Sequence, residues 1–270
     1  MRGDHAMRGE FEIEGRRLSY LDPGGSGRPL LALHGGLSEA AHFAGLTAAL
    51  GDEWRVIAPD QRGHGDSDRA ADYPREGFVA DAVALLDRLG VEGPLPVLGF
   101  SMGALNAYHL AAARPDLVSA LINVDGTVEV PEGAAESPAV DFLRTLPYTA
   151  DTAEELIAAC GPHGPAIAPF LRPVPGGGVR LPFHPGDTLR IVALAGGSYR
   201  EVWRAGTCPA LLVHGRRSDS LPQEVADAMV ADRPGTTYVG LDTDHYVPFQ
   251  DPEGFHRAVA GFLSGLPGRR

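Results

Sequence analysis

Short apolar runs alternate with stretches of helical periodicity over much of the chain, and this alternation restricts the possible fold more than any other feature. Six runs that each end at a polar or glycine-rich turn are predicted to be buried parallel strands, at residues 30–33, 55–58, 95–98, 120–123, 210–213 and 237–240. Three segments carry apolar residues at helical spacing, at residues 79–89, 102–114 and 252–263. Two earlier runs, 11–13 and 17–21, flank Glu14-Gly15 and predict an antiparallel hairpin. The expected architecture is α/β, with a mostly parallel eight-stranded sheet flanked by helices.

One segment breaks this rhythm. Residues 128–204 contain the run Pro175-Gly176-Gly177-Gly178, several other prolines and short helical pieces such as 153–159. We interpret the segment as a cap inserted into a single core domain. The predicted division is a core of residues 10–127 and 205–267, a cap of residues 128–204, and an N-terminal tail of residues 1–9, in which Met7 offers a second start site.

Charge and cysteine content exclude several classes of function. A chain of 270 residues with a formal net charge of −12 lacks the basic field that holds a phosphate backbone, so neither nucleic acid nor an anionic membrane is an expected partner. Cys160 and Cys208 have no companions at metal-ligand spacing, which predicts neither a metal site nor a disulfide framework. Residues 1–9 lack the apolar stretch of a secretory signal, and no run approaches the roughly 18 apolar residues of a membrane span. We therefore expect a cytoplasmic protein.

The pentapeptide Gly99-Phe100-Ser101-Met102-Gly103 follows a predicted strand and precedes a predicted helix. In that context a Gly-x-Ser-x-Gly pattern indicates a nucleophile elbow, a strained turn that exposes a serine at the end of a strand. The glycines allow the backbone to turn tightly, and the helix N-terminus behind the serine favours developing negative charge. Ser101 is therefore the candidate nucleophile.

These features resemble the α/β-hydrolase superfamily, whose members present strand, elbow and helix in this order, and the resemblance covers nearly the whole chain outside the cap. It implies that the turn after an earlier strand, Leu33-His34-Gly35-Gly36-Leu37, completes an oxyanion hole. By this resemblance, the backbone N–H groups of Gly36 and Met102 stabilise the oxyanion, and His34 is structural. The segment 60–68 resembles the superfamily's Asp-x-Arg-Gly-x-Gly-x-Ser turn. We predict that this segment has a structural rather than a catalytic role, although it contains His64.

The chain order in such hydrolases is serine, then acid, then histidine. Asp219 follows the strand 210–213 in a loop similar to the family's Gly-x-x-x-Asp loop, and we predict that it is the acid. Asp125 ends the preceding strand candidate and remains the alternative, because some family members take the acid from that position. His245, between the last strand candidate and the closing helix, is the predicted base. A serine, an acid and a histidine in this order, each at a strand end, are far more specific together than separately.

The predicted function is hydrolysis of a small hydrophobic carboxylic ester or lactone through an acyl-enzyme on Ser101, with no cofactor or metal. The partner is then a small-molecule substrate, and the oligomeric state stays open. The apolar and aromatic residues around the elbow and in the cap give the candidate substrate-binding set Leu37, Phe100, Phe142, Tyr148 and Tyr246. Alternatives are a thioesterase, a cofactor-independent lyase, cyclase or isomerase acting on a biosynthetic intermediate, and a ligand-binding receptor on the same fold.

Overall fold

A twisted sheet of eight strands forms the centre of the molecule. The computed structural model describes residues 7–266, without the side chain of Ala139. The strands of the main sheet are β1 (Met7–Ile13), β2 (Arg16–Asp22), β3 (Arg28–Leu33), β4 (Trp54–Pro59), β5 (Leu95–Phe100), β6 (Val118–Val124), β7 (Ala210–Gly215) and β8 (Thr237–Leu241). Their order is β1-β2-β4-β3-β5-β6-β7-β8, and every pair from β4 to β8 is parallel. The predicted mostly parallel, eight-stranded sheet is thus confirmed.

Helices cover both faces of this sheet. They are α1 (Ala44–Leu50), α2 (Arg75–Arg88), α3 (Met102–Ala113), α4 (Ala153–Ala159), α5 (Gly164–Ile167), α6 (Pro185–Ala193), α7 (Arg200–Ala205), α8 (Gln223–Asp232), α9 (Val247–Gln250) and α10 (Pro252–Ser264). Successive strand residues face opposite sides, so Leu121 joins the core cluster beneath α2, α3 and α8, while Ile122 joins the cluster beneath α1 and α10. None of the helices in residues 7–266 has the length and apolar character needed to cross a bilayer.

The hairpin at the start of the chain is longer than predicted. β1 begins at Met7 and pairs with β2 through seven register positions, from Met7 opposite Asp22 to Ile13 opposite Arg16. The prediction of a tail up to residue 9 is therefore wrong for residues 7–9, because backbone pairing with β2 continues beyond the apolar residues that signalled the strand. The rest of the predicted tail, residues 1–6, lies outside the described residues.

The segment between β6 and β7 forms small elements of its own. A three-stranded ribbon is made of Thr149–Ala150, Val179–Arg180 and Arg172–Pro173, and Glu129–Val130 pairs with Gly197–Ser198. Single turns of 3-10 helix lie at Ala134–Glu136, Gly161–His163 and Ala168–Phe170, with a longer stretch at Pro138–Arg144, and the same type of turn occurs outside the segment at Ala40–Phe43 and Gly51–Glu53. A separate apolar cluster forms among them, with Leu156, Ile167 and Phe183 fully buried.

The two ends of that segment pack with the sheet rather than with the cap. Val128 and Trp203 both belong to the core cluster beneath α3, and the Trp203 indole N–H donates to the carbonyl of Met229 in α8 at 2.8 Å. The predicted cap range, 128–204, therefore includes most of α7, which the structure packs on the core. Large aromatic side chains at the cap boundary were not distinguishable by sequence pattern from those inside it.

Ion pairs hold the cap against the loop 60–68. Asp66 in this loop accepts from Arg172 at 2.6 Å and from Arg180 at 2.8 Å, and both arginines lie on the cap ribbon. Arg69 pairs in the same way with Asp187 in α6, at 2.5 Å. These contacts join two parts of the chain more than 100 residues apart in sequence, so they fix where the cap lies above the sheet.

Close packing of α3 on β3 gives the first prediction. A Cβ atom on Gly103 would lie 2.0 Å from the carbonyl oxygen of Leu33, whereas a Cβ on Gly261, also inside a helix, would meet nothing within 4 Å. We expect Gly103→Ala to lower the free energy of unfolding by about 1–3 kcal/mol through overpacking. Gly261→Ala should raise it by about 0.5–1 kcal/mol, because alanine favours the helix. Urea denaturation of both variants measures this contrast, and an equal response would contradict it.

Candidate active site

The register of the parallel strands brings the candidate residues to one edge of the sheet. Leu33 lies opposite Gly99, Gly99 lies opposite Asn123, and Val124 lies opposite Val213. The strands β3, β5, β6 and β7 therefore end at nearly the same level. Residues that follow them directly meet in the crevice at the carboxyl end of the sheet, where ligands of open α/β sheets bind.

Ser101 occupies the turn between β5 and α3 in a strained conformation. Its φ is 54° and its ψ is −119°, a left-handed region that costs free energy for any residue with a side chain. The turn also requires glycine on either side, because a Cβ on Gly99 would lie 2.1 Å from the carbonyl oxygen of Gly103. This geometry is that of the predicted nucleophile elbow, with the serine side chain raised above the sheet.

His245 connects Ser101 to a buried carboxylate. Its Nε2 lies 2.9 Å from the Ser101 Oγ, and its Nδ1 lies 2.7 Å from the Oδ2 of Asp125. An Nδ1–H that donates to Asp125 leaves Nε2 free to accept the serine proton. The three side chains thus have the geometry of a nucleophile, a base and an orienting acid.

The position of the acid corrects the sequence-based prediction. Asp219 is exposed to solvent, and it is Asp125 that bonds to His245. In the loop after β7, the residue that points inward is Ser218, whose hydroxyl donates to the Asp125 Oδ2 at 2.5 Å. Asp219, one residue further on, faces outward. The physical reason is that Ser218 takes the buried, inward-facing position of the loop after β7, so Asp219 is turned to solvent.

Asp125 is surrounded by donors. Its side chain has no exposed surface, and its Oδ1 accepts the backbone N–H of Gly215 at 2.8 Å. With the bonds from Ser218 and His245, both carboxylate oxygens are satisfied. Such bonds offset the cost of keeping a charge away from water. The backbone at Asp125 has a positive φ of 50°. A short polar residue before a glycine is typical of a turn with this conformation, so Asp125-Gly126 was the signal that the sequence contained for this site.

The two residues predicted to form an oxyanion hole lie next to each other. A Cβ on Gly36 would be 3.9 Å from the Met102 Sδ and 4.0 Å from its Cβ. Met102 is the first residue of α3, so its N–H has no acceptor within the helix. The Gly36 carbonyl oxygen lies 3.0 Å from His64 Nε2, a contact that holds this peptide near the loop 60–68. That the two N–H groups form an oxyanion hole stays a prediction.

Two histidines near the elbow form hydrogen bonds with backbone groups. His34 is fully buried, with Nδ1 at 2.8 Å from the carbonyl of Gly35 and Nε2 accepting the N–H of Gln61 at 3.0 Å. His64 contacts the carbonyls of Arg62 and Gly36, both at 3.0 Å. Burial lowers the pKa of both imidazoles. Their contacts hold the two loops together, which agrees with an architectural role for the segment 60–68.

A cavity of about 60 Å³ opens beside Ser101. Its lining residues are Gly35, Gly36, Leu37, Ser38, Phe100, Ser101, Ala166, Ile167, His245, Tyr246 and Phe249. Three of the five predicted substrate-binding residues, Leu37, Phe100 and Tyr246, are in this wall. Their contact with a substrate stays a prediction.

The other two predicted substrate-binding residues are elsewhere. Phe142 stacks on His163 at a ring distance of 4.4 Å, and Tyr148 packs against His184 at 5.1 Å. Neither lines the cavity beside Ser101, and both pack against the apolar cluster of the cap. Their contact with a substrate stays a prediction. The cap supplies Ile167 to the cavity wall. The sequence did not predict this contact, because aromatic content alone does not show which cap residues face the cavity.

The cap contacts the site through a hydrogen bond next to the base. His163 Nδ1 lies 2.7 Å from the hydroxyl of Tyr246, the residue after His245. Burial raises the pKa of the Tyr246 phenol, with the nearby Asp244 adding to the effect, so the hydroxyl stays protonated. Burial and the neighbouring His245 lower the pKa of His163. A neutral His163 can then accept a hydrogen bond from the phenol and connect the cap to the loop that carries the base.

No grouping of three or more histidine, cysteine or acidic side chains within residues 7–266 has the arrangement of a metal site.

Comparison with known proteins agrees with this geometry. A model of the family described as alpha/beta hydrolase fold matches residues 28–163. The chain belongs to the α/β-hydrolase family. It is 31% identical over 278 residues to the 2-(acetamidomethylene)succinate hydrolase of Mesorhizobium japonicum, covering 96% of each protein. It is also 30% identical over 265 residues to the 3-hydroxybutyrate-oligomer hydrolase of Cupriavidus necator, covering 87% of this chain and 89% of that protein.

Solved structures give the same result. The crystal structure of E-2-(acetamidomethylene)succinate hydrolase superimposes with a TM-score of 0.86 at 26% identity, covering 96% of this chain and all of the other. The resemblance found in the sequence is confirmed, and with it the α/β-hydrolase fold and an enzyme of the hydrolase class.

The choice between the two acids gives the second prediction. We expect Asp125→Asn to reduce kcat about 10⁴-fold, because an amide at this position no longer holds the His245 tautomer that accepts a proton. Asp219→Asn, an isosteric change at an exposed side chain, should leave kcat within a factor of two. Ester turnover by both variants measures the ranking, with thermal unfolding as a check on folding. A loss confined to Asp219→Asn would restore the sequence-based assignment.

Proposed function

We propose that this hydrolase cleaves carboxylic esters or lactones of short, uncharged acyl groups through an acyl-enzyme on Ser101. One observation carries the proposal: Ser101 and His245, hydrogen-bonded in series with the buried Asp125, lie at the wall of a small, largely apolar cavity. Gly36 lines the same cavity, and Met102 directly follows Ser101. This combination supports acyl transfer more directly than any other chemistry of the fold.

In the first step His245 Nε2 accepts the proton of Ser101 as the Oγ attacks the ester carbonyl. The oxyanion of the tetrahedral intermediate then accepts hydrogen bonds from the backbone N–H groups of Gly36 and Met102. As the intermediate collapses, the C–O bond to the alcohol breaks, and the imidazolium returns its proton to the leaving oxygen. Asp125 stabilises the imidazolium throughout.

In the second step a water molecule takes the place of the alcohol. His245 accepts one proton from this water as its oxygen attacks the acyl carbon of the ester on Ser101. Collapse of the second intermediate releases the carboxylic acid and returns the proton to Ser101. Neither step requires a metal or a cofactor.

The cavity wall supports a short and uncharged acyl group. Leu37, Phe100, Ile167 and Phe249 present apolar surface to a small cavity, which favours a short acyl chain over a long one. Among the described residues no arginine lines this cavity, and the chain contains no lysine. A carboxylate on the substrate would therefore be desolvated without a cationic partner, which is costly.

A second candidate is hydrolysis of an N-acyl bond. It is favoured by the 31% identity over nearly full length to the Mesorhizobium japonicum 2-(acetamidomethylene)succinate hydrolase. The same nucleophile and base act on amides as on esters. The absence of a cationic side chain from the described cavity wall argues against a succinate-like substrate, so the ester proposal takes precedence.

The test is the third prediction. Wild type should react with a fluorophosphonate probe and hydrolyse p-nitrophenyl acetate and butyrate. Ser101→Ala should abolish labelling and lower kcat on the order of 10⁶-fold, because it removes the nucleophile. Ser26→Ala, a change at an exposed loop serine, is the matched control and should behave as wild type. We expect kcat/KM for the octanoate ester to be at least about tenfold below that for butyrate, since the longer chain exceeds the cavity.

The outcomes separate the candidates. Turnover of 2-(acetamidomethylene)succinate above that of every neutral ester would favour the N-acyl bond. A wild type that is inert to the probe and to all esters would contradict the proposal and favour a lyase or a receptor.

A further inference from the structure

A second serine–histidine pair lies beside the cavity, away from the base of the proposed mechanism. Ser38 lines the cavity and is only 4% exposed. Its Oγ is 3.0 Å from the Nδ1 of His42. Within the described part of the chain, this is the one hydrogen bond of the Ser38 hydroxyl, although a hydroxyl can donate once and accept twice. The group therefore has unused hydrogen-bonding capacity at the cavity wall.

Aromatic rings hold His42 in place. Its imidazole stacks on Phe100 at 5.1 Å and on Phe170 at 6.1 Å, and it meets Phe249 edge-on at 4.8 Å. Phe100 and Phe249 also line the cavity. The ring is thus fixed by the same side chains that shape the substrate space, so its Nδ1 has a defined direction toward Ser38.

The protonation state and tautomer of His42 determine which hydrogen bonds the Ser38 hydroxyl can form. Burial lowers the pKa of His42 to about 3, so the ring is neutral at working pH. Its Nε2 is buried and has no hydrogen-bond partner within the described residues. A buried N–H without a partner is rarer than an unsatisfied acceptor, which favours the proton on Nδ1. An Nδ1–H that donates to the Ser38 oxygen leaves the serine O–H to donate elsewhere.

We infer that Ser38, held by His42, donates a hydrogen bond to an oxygen atom in the acyl group of the substrate, and so selects oxygen-bearing acyl groups over alkyl ones. This inference rests on the proposed function and names the substrate class of the same site. Ser38 then binds substrate directly, and His42 is a positioning residue.

The position of Ser38 on its loop indicates which part of the substrate it reaches. Gly36, whose N–H faces the scissile carbonyl oxygen in the proposed mechanism, precedes Ser38 by two residues, which span at most about 7 Å. The backbone N–H of Ser38 donates to the carbonyl of Gly35 at 3.2 Å and folds the loop back on itself. Ser38 is therefore within reach of substrate atoms next to the bound carbonyl, and the inference assigns it to the acyl side, two or three atoms along the chain.

The fourth prediction compares two substrates of equal length. In p-nitrophenyl methoxyacetate an ether oxygen replaces the third carbon of the butyrate ester. Ser38→Ala should lower kcat/KM for methoxyacetate about fivefold, the effect of one neutral hydrogen bond, and leave butyrate within a factor of two. The comparison of variant with wild type on each ester cancels the difference in intrinsic reactivity. His42→Phe, which keeps an aromatic ring but removes Nδ1, should reduce the methoxyacetate rate in the same direction.

Controls distinguish failure of this inference from failure of the proposed function on which it rests. Ser26→Ala should change neither ester, and thermal unfolding of each variant reports on folding. Equal losses on both esters in Ser38→Ala would overturn the inference, because they indicate a structural or oxyanion role, and so would no loss on either. A normal methoxyacetate rate in His42→Phe would overturn the positioning role of His42. Failure of the proposed function has a different signature, since wild type would then hydrolyse neither ester.

Discussion

The buried carboxylate of Asp125 is the contact on which the arrangement of the site depends. It accepts from a backbone amide at the end of β7, from Ser218 in the next loop and from His245 after β8. One side chain thus connects two separate pieces of chain, the end of β7 with its loop and the loop after β8, to the end of β6. A charge so deeply buried is tolerated only when its oxygens are satisfied, so the same bonds that stabilise the carboxylate also fix the imidazole relative to Ser101.

The fold was predictable because the sheet is buried on both faces. Strands in such a sheet read as continuous apolar runs, and each run here ended at a glycine or polar turn that marked its carboxyl end. Ser101 and His245 were predictable for the same reason, since Ser101 directly follows β5 and His245 lies in the short loop after β8. The acid was harder, because two strand ends carried an aspartate and sequence alone does not show which side chain turns inward. The outcome depended on Ser218 occupying the inward position that Asp219 would need.

The cap was the least predictable part. Its short ribbons and 3-10 turns have no sustained periodicity, so the sequence indicates apolar side chains without indicating the direction in which they point. Phe142 and Tyr148 were predicted to reach the substrate, and both pack against histidines inside the cap. Ile167 does line the cavity, and nothing in its neighbours distinguishes it from the residues of the cap interior.

Charge connects the cap to the choice of substrate. The chain carries a net charge of −12, a field that opposes the approach of anions. The arginines nearest the cap interface are already paired, Arg172 and Arg180 with Asp66 and Arg69 with Asp187. Recruiting Arg69 to a substrate carboxylate would give up its ion pair with the buried Asp187, and recruiting Arg172 or Arg180 would give up one of the pairs of Asp66, which is costly. The ion pairs that hold the cap in place therefore support the proposal of a neutral substrate.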